Sequence, residues 1–195
     1  MLAAVILSAG ESSRMGTPKG LLPYRGSTFL EHLIGVTRHP KIGLSRVVLG
    51  ATADEIRSRV KIPSESVVLN FNWRQGQLSS ICAALRTLPG NTTEGILLCP
   101  VDHPLITAEL VGELVDAFYK RKKHIVLPTY NGKRGHPVIF SRALYSELFR
   151  APADQGARAV VWAHPKDLLE VPTKEEGVVL NLNDPETLAR ALESA

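Results

Sequence analysis

Short β-branched apolar runs recur at Ala3 to Leu7, Arg46 to Leu49, Val67 to Leu69 and Ile96 to Val101, bounded by Gly, Asn or Pro. Runs of this length and composition predict buried strands. Between them the apolar positions take a helical period. Phe29, Leu30, Leu33 and Ile34 share one face after Ser27 and Thr28; Ile81, Ala84, Leu85 and Leu88 share another after Gly76; Leu110, Val111, Leu114, Val115 and Phe118 share a third. Strands alternating with amphipathic helices predict an α/β fold, a mostly parallel sheet with helices on both faces.

Beyond residue 120 the pattern changes. Ile125 to Leu127, Pro137 to Phe140, Leu168 to Val171 and Val178 to Leu180 read as further strands, with short helices over Arg142 to Phe149, Ala157 to His164 and Pro185 to Leu192. The segment from Tyr130 to His136, YNGKRGH, carries the Asn-Gly signal of a tight turn and predicts a short antiparallel excursion beside the strand ends. There is no repeat, linker or low-complexity tract, so the chain, residues 1–195, is read as a single domain.

Composition adds little and excludes much. The 195 residues are 44% hydrophobic and carry a net charge of +4, enough apolar content for one sizeable core and a charge balance that suits an anionic small molecule. No basic stripe interleaves with aromatics, so nucleic acid is not expected as a partner. The dense run Lys120 to Lys123 closes a helix whose dipole it complements. No apolar run approaches the roughly 20 residues of a membrane span, and the first residues run straight into a strand without a basic leader. Cys82 and Cys99 sit in apolar stretches and read as buried thiols, which with the missing export signal points to the cytoplasm.

The chemistry gathers in ILSAGESSRMGTPKGLL, residues 6 to 22. A strand, a glycine-bearing loop and a helix form the general device for holding phosphate on backbone amides. Gly10 is followed by Glu11, Ser12 and Ser13, which fails the dinucleotide fingerprint. Five residues separate Gly10 from Gly16, and Lys19 comes three after it, which fails the ATPase phosphate loop. Gly10 lets backbone approach phosphate closely, Arg14 offers a fork of donors, and Lys19 adds a compact cation behind the stiffening Pro18.

What remains, L-S-A-G-x-S-x-R-M-G-x-P-K from Leu7 to Lys19, resembles the signature of the MobA-like nucleotidyltransferases. Further blocks match in order: NWRQGQLSSICAAL (Asn72 to Leu85), CPVDHPLI (Cys99 to Ile106), GHPVIFSRAL (Gly135 to Leu144), DQGARAVV (Asp154 to Val161) and LNLNDPETL (Leu180 to Leu188). Together they are most similar to the molybdenum cofactor cytidylyltransferase branch.

The resemblance implies a three-layer αβα fold with a mostly parallel Rossmann-like sheet, of the nucleotide-diphospho-sugar transferase type. It also implies transfer of CMP from CTP to a molybdopterin-type molybdenum cofactor, with pyrophosphate released and a molybdoenzyme as possible recipient of the product. Asp102, at the carboxyl end of a buried strand, is then a ligand of Mg²⁺, whose hard character suits carboxylate oxygen. The second ligand falls on Asn181 or Asn183, where the acidic form of the block has Asp; Asn183 is the candidate, and Asp184 is read as a helix cap.

Lys19, Arg14 and Asp102 are the expected catalytic residues, and Leu7, Ala9, Gly10, Gly16, Gly76, Ser79 and Ser80 the expected nucleotide-binding ones. Ala9 stands where GTP-using relatives commonly carry Gly, which favours CTP. Lys133, Arg134 and His136 are candidates for the acceptor's phosphate and pterin; His103, Trp73 and Trp162 are read as structural. Two alternatives stay open: a guanylyl or other nucleotidyltransferase of the family with a different phosphorylated acceptor, and a non-catalytic carrier of nucleotide or cofactor.

Overall fold

In the computed structural model residues 1–90, 92–184 and 186–189 are described, apart from the Arg14 side chain. In chain order the elements are β1 (Leu2–Ser8), a small hairpin of β2 (Pro23–Tyr24) and β3 (Ser27–Thr28), α1 (Phe29–Val36), β4 (Ile42–Leu49), α2 (Ala53–Arg59), β5 (Val67–Leu69), α3 (Gln77–Arg86), β6 (Gly95–Pro100) and α4 (Ala108–Arg121). There follow β7 (Ile125–Tyr130), β8 (Lys133–Arg134), β9 (Val138–Ser141), α5 (Tyr145–Arg150), α6 (Ala157–Ala163) and β10 (Leu168–Pro172).

One eight-stranded sheet runs β10-β7-β9-β6-β1-β4-β5, with β8 attached to β7. β6, β1, β4 and β5 are parallel neighbours, as are β10 and β7. β9 runs antiparallel between β6 and β7. The excursion predicted at Asn-Gly is the β7–β8 hairpin, which pairs Thr129 with Arg134 and Tyr130 with Lys133. Asn131 and Gly132 both take left-handed φ, 48° and 75°, the conformation such a turn requires.

The alternation of side chains along β1 sorts the core into two layers. Leu2 and Ile6 face α1, α2 and α4, meeting Leu33, Ile56 and Leu114. Ala3, Val5 and Leu7 face α3, α5 and α6, meeting Ile81, Leu148 and Val160. With β1 buried along its whole length, both faces of the sheet are covered, the state that near-continuous apolar strands require. This is the three-layer αβα fold.

α1 opens on a reciprocal cap, Thr28 accepting from the Glu31 amide at 3.2 Å while the Thr28 amide donates to the Glu31 carboxylate at 2.9 Å. α2 has no counterpart in the apolar pattern because only Ile56 of its seven residues is buried.

Val178 to Leu180 is not the expected strand. Glu176–Val178 forms a single 3-10 turn and the chain continues irregularly. The apolar residues here serve packing without a ladder: Val178 is fully buried, and its carbonyl accepts from the His136 amide at 2.8 Å. A Cβ at Gly135 would overlap that carbonyl, so this close approach depends on glycine. Further on, the Leu182 amide donates to the Asp102 carbonyl at 2.8 Å. Residues 186–189 are helical and Asp184 caps them, accepting from the Thr187 amide at 2.8 Å; the rest of the helix expected over Pro185 to Leu192 lies outside the described residues.

Candidate functional site

The loop after β1 starts at the carboxyl end of that strand, beside the carboxyl end of its parallel neighbour β6. Ser12 (φ 55°) and Gly16 (φ 64°) bend that loop into the left-handed region, and the Lys19 amide donates to Ser12 Oγ at 2.9 Å, closing it on itself. A cavity of about 450 Å³ opens above it, lined by Leu7, Ala9 and Gly10 from the strand end, Lys19 from the loop's far side, Gly76 and Ser80 from the start of α3, and Asp102 and Asn183. Gly10 has open space where a side chain would stand, so a ligand can meet its backbone directly.

Lys19 is the centre of the polar side of this cavity. Its ammonium donates to Asn183 Oδ1 and lies 3.9 Å from Asp102 Oδ2; the Lys19 side chain is 14% exposed and that of Asp102 24%. Thus an amide oxygen and a carboxylate share one cation at the rim of the sheet. Asn183 joins Asp102 at the Lys19 ammonium and in the first cavity, whereas Asn181 meets Asp102 only in the lining of a second cavity. Hard oxygen donors of this kind fit Mg²⁺, with water and phosphate oxygens completing the set. Among the described residues no group of three or more His, Cys, Asp or Glu is placed to hold a metal.

Other expected residues sort themselves by position. Ser80 is buried and accepts from Asn70 Nδ2 at 2.9 Å while lining the cavity. Ser79 does not reach it: its hydroxyl is tied to Asn70, the Asn72 carbonyl and the Gly76 carbonyl. Gly16 serves the turn and is exposed rather than lining the cavity. The Arg14 side chain lies outside the described residues. Trp73, expected to pack, does so against Ala9's cluster but also lines the cavity, and the Arg74 guanidinium stacks 4.3 Å from its ring centroid. Gly50 completes this wall, since a Cβ there would overlap the Ala9 carbonyl and crowd Trp73. Thr52, whose Oγ1 is buried without a partner among the described residues, also lines it, and no spacing in the chain marks it.

A second cavity, of about 570 Å³, lies on the other side of Asp102. Gln77, Pro100 and Asp102 border both. Its walls bring together His103, Arg134, His136 and Trp162. Lys133 stays on the exposed hairpin and does not line either space, and Arg134 is held by Glu170 at 2.7 Å. Trp162 is not packed inside as expected. α6 buries Val160 and Val161 and leaves Trp162 59% exposed.

The His103 and His136 rings lie 4.7 Å apart, tilted by 47°, and the Nδ1 of each is buried without a hydrogen-bond partner among the described residues. Burial, more than the neighbouring His103, pushes the His136 pKa down to about 3. Burial also lowers that of His103, against the opposing pull of Asp102. Cys99 is buried, and its thiol pKa is raised by desolvation, so it is no nucleophile.

A glycine-bearing loop and a lysine thus stand at the ends of parallel strands, facing a carboxylate with a second cavity behind it. Residues 4–168 match the MobA-like NTP transferase domain, and the chain belongs to that family: it is an enzyme, a nucleotidyltransferase. The molybdenum cofactor cytidylyltransferase of Escherichia coli (strain K12) is 27% identical over 192 residues, covering 97% of this chain and 94% of the relative. The nicotine blue oxidoreductase of Paenarthrobacter nicotinovorans is 29% identical over 187 residues, 90% of each chain. Among solved structures, Rv0371c from Mycobacterium tuberculosis H37Rv covers the whole of both chains with a TM-score of 0.84 at 29% identity; its complex with manganese covers 100% of this chain and 99% of that one, with a TM-score of 0.78 at 26% identity. Among the described residues no helix is long and apolar enough to cross a membrane.

Proposed function

We propose that the protein transfers CMP from CTP to the phosphate end of a molybdopterin-type molybdenum cofactor, releasing pyrophosphate, with Mg²⁺ as its metal. The observation that carries this reading is Asp102: it is the shared wall of two cavities and stands against the Lys19 ammonium and the Asn183 amide oxygen. A group at that position acts where two substrates meet.

The reaction needs an acceptor oxygen brought in line with the α-phosphorus of the triphosphate. The new bond joins that oxygen to phosphorus, the bond to the bridging oxygen breaks, and pyrophosphate leaves with the electron pair. The loop from Gly10 to Lys19 holds the triphosphate on backbone amides, so that the ends of the reaction are positioned before chemistry starts. Lys19, with Arg14 as the loop's second cation, balances negative charge that grows on the leaving group. Asp102 and Asn183 would hold Mg²⁺, which would supply further neutralisation of phosphate oxygens. A phosphate monoester acceptor is already ionised, so neither a protein nucleophile nor a general base is needed, in keeping with the buried, unreactive Cys99.

Cytidine is supported by Ala9, whose methyl group lies in a wall already tightened by Gly50 and Trp73. One added carbon there leaves less room beside the base and favours a pyrimidine. The test is pyrophosphate release with each of the four NTPs, Mg²⁺ and the molybdenum cofactor. The expected result is fastest turnover with CTP. A clear GTP preference overturns the cytidine assignment, and no release with any NTP, together with CTP binding that is indifferent to Mg²⁺, overturns the transferase reading in favour of a carrier.

A further inference from the structure

The chain from Glu175 to Asn183 lies as a strap along the loop that follows β6 and runs in the opposite direction. Glu175 meets Thr107, Gly177 meets Leu105 and Leu182 meets Asp102, and the strap ends where Asn183 accepts from the Lys19 ammonium. Val178 and Leu182 are fully buried and press the strap onto the core. Apolar burial of this kind is non-directional, so it does not fix how far along the loop the strap sits.

Polar contacts fix that register. The Glu175 carboxylate takes both groups that Thr107 offers: the hydroxyl donates to Oε1 at 2.6 Å and the amide to Oε2 at 3.3 Å. The same hydroxyl accepts from the Leu110 amide at 3.1 Å, so Glu175 is latched to the first turn of α4. Further along, the Leu182 amide donates to the Asp102 carbonyl at 2.8 Å. Between these two ties Gly177 packs so closely that a Cβ would overlap the Leu105 carbonyl. Behind this stretch the wall is open: Leu105, Thr107, Glu175 and Gly177 border a cavity of about 720 Å³. Here the hydrogen bonds of Glu175 take the place that close packing has elsewhere.

We propose that Glu175 is a positioning residue: by latching the strap to Thr107 it sets the place of the Asn183 amide oxygen beside Asp102, and with it the affinity of that pair for a divalent ion. The proposal rests on the reading of Asp102 and Asn183 as the oxygens that would hold Mg²⁺. Asn183 brings no charge, so how well it binds depends on where it is held. Groups that orient a metal's ligands without touching the metal govern its affinity by about ten- to a hundredfold. Nothing in the run Lys174, Glu175, Glu176 singles out the middle residue; only its contact with Thr107 does.

The test is binding of Mn²⁺ to protein carrying CTP, read from the electron spin resonance of the free ion, with the ion held by CTP alone subtracted. Glu175→Ala should weaken Mn²⁺ binding about tenfold. It should raise by the same factor the Mg²⁺ needed for half-maximal pyrophosphate release, while kcat at saturating Mg²⁺ stays within about twofold of the parent. Hydrogen exchange at the Leu182 and Asn183 amides should quicken in the same variant. Gly177→Ala, which lifts the strap without altering a charge, should reproduce these changes, as should Thr107→Val; Thr107→Ser, which keeps the hydroxyl, should retain parental binding. Ile96→Val is a core change at the end of β6 far from Asp102. It lowers stability without touching the strap and should leave Mn²⁺ affinity unaltered.

Mn²⁺ affinity or amide exchange that Glu175→Ala leaves unchanged overturns the proposal, as does an equal loss of affinity in Ile96→Val, which would mark a general loosening of the fold. The parent protein separates the two levels. If it binds Mn²⁺ with CTP and the Glu175 and Gly177 variants bind it as tightly, only the latch falls; if it holds no more than CTP alone does, the metal site falls and the latch with it.

Discussion

The two cavities that meet at Asp102 are assembled in opposite ways. The first draws most of its wall from two stretches of chain, within residues 7–19 and 73–80, with Thr52, residues 100–102 and Asn183 added. The second gathers 134–138, 153–162 and 181 from elements scattered across the antiparallel part of the sheet and the helices over it. In the first, a loop closed by its own Ser12–Lys19 hydrogen bond makes the anion site a nearly local structure. In the second the stretch 153–162 supplies one wall and the others come from separate strands, so its shape depends on the β9 strand, the Gly135–Val178 contact and α6 all holding their places. A local site tolerates damage elsewhere in the fold, whereas a composite one does not.

Asp102 belongs to both, so its loss should have the largest effect. Asp102→Ala is expected to lower kcat for pyrophosphate release by on the order of a thousandfold, the scale of removing a group that stabilises charge in the transition state. Asp102→Asn should recover little, because the charge is what matters. A variant with near-normal kcat would mean that the two cavities do not communicate through this residue. Lys19→Met comes next, with a loss of about a hundredfold in kcat/KM for the nucleotide and little change in acceptor KM, because Lys19 lines the first cavity and not the second. In the same cavity Asn183→Asp adds a charge beside Asp102 and should lower the concentration of divalent ion needed for half-maximal rate.

The same contrast governs what could be read from the chain. Strand periods placed β1, β5, β6, β9 and β10 within a residue, and missed the first four residues of β4 and the last three of β7, because the period follows apolar runs and Pro128, Thr129 and Tyr130 do not continue one. The loop from Leu7 to Lys19 was legible because its groups lie within 13 residues of each other, and Asp102 because it ends a buried strand. Trp162 and the histidine pair were not legible. His103 and His136 are 33 residues apart and meet only because β9 inserts antiparallel between β6 and β7, and the exposure of Trp162 depends on which side of a seven-residue helix faces α5. Val178 to Leu180 misled for a related reason: apolar β-branched residues mark burial, and here burial is met by tertiary contacts without a ladder.

Acid titration probes the composite cavity through His136. Its folded pKa, about 3, is below the roughly 6.5 of an unfolded histidine. Between those values the unfolded chain binds a proton that the native one refuses, so stability present above pH 6.5 is lost as pH falls toward 3. The slope contributed by one such group is at most about 1.4 kcal/mol per pH unit. His136→Phe should flatten the acid limb of a denaturation midpoint plotted against pH. An unchanged limb would show that folding does not lower the His136 pKa.

The smallest effect separates two neighbouring serines. Ser79 and Ser80 both accept from Asn70 Nδ2, at 2.8 and 2.9 Å, so Ser79→Ala and Ser80→Ala should each cost about 1 kcal/mol of stability, the net value of a typical hydrogen bond. Only Ser80 lines the nucleotide cavity. Its replacement should therefore weaken nucleotide binding by a further few-fold, whereas Ser79→Ala should leave the nucleotide dissociation constant unchanged once measured on fully folded protein. Equal losses of affinity in the two variants would mean that the start of α3 acts on the nucleotide through its backbone position alone, and that the Ser80 hydroxyl takes no part in recognising the base.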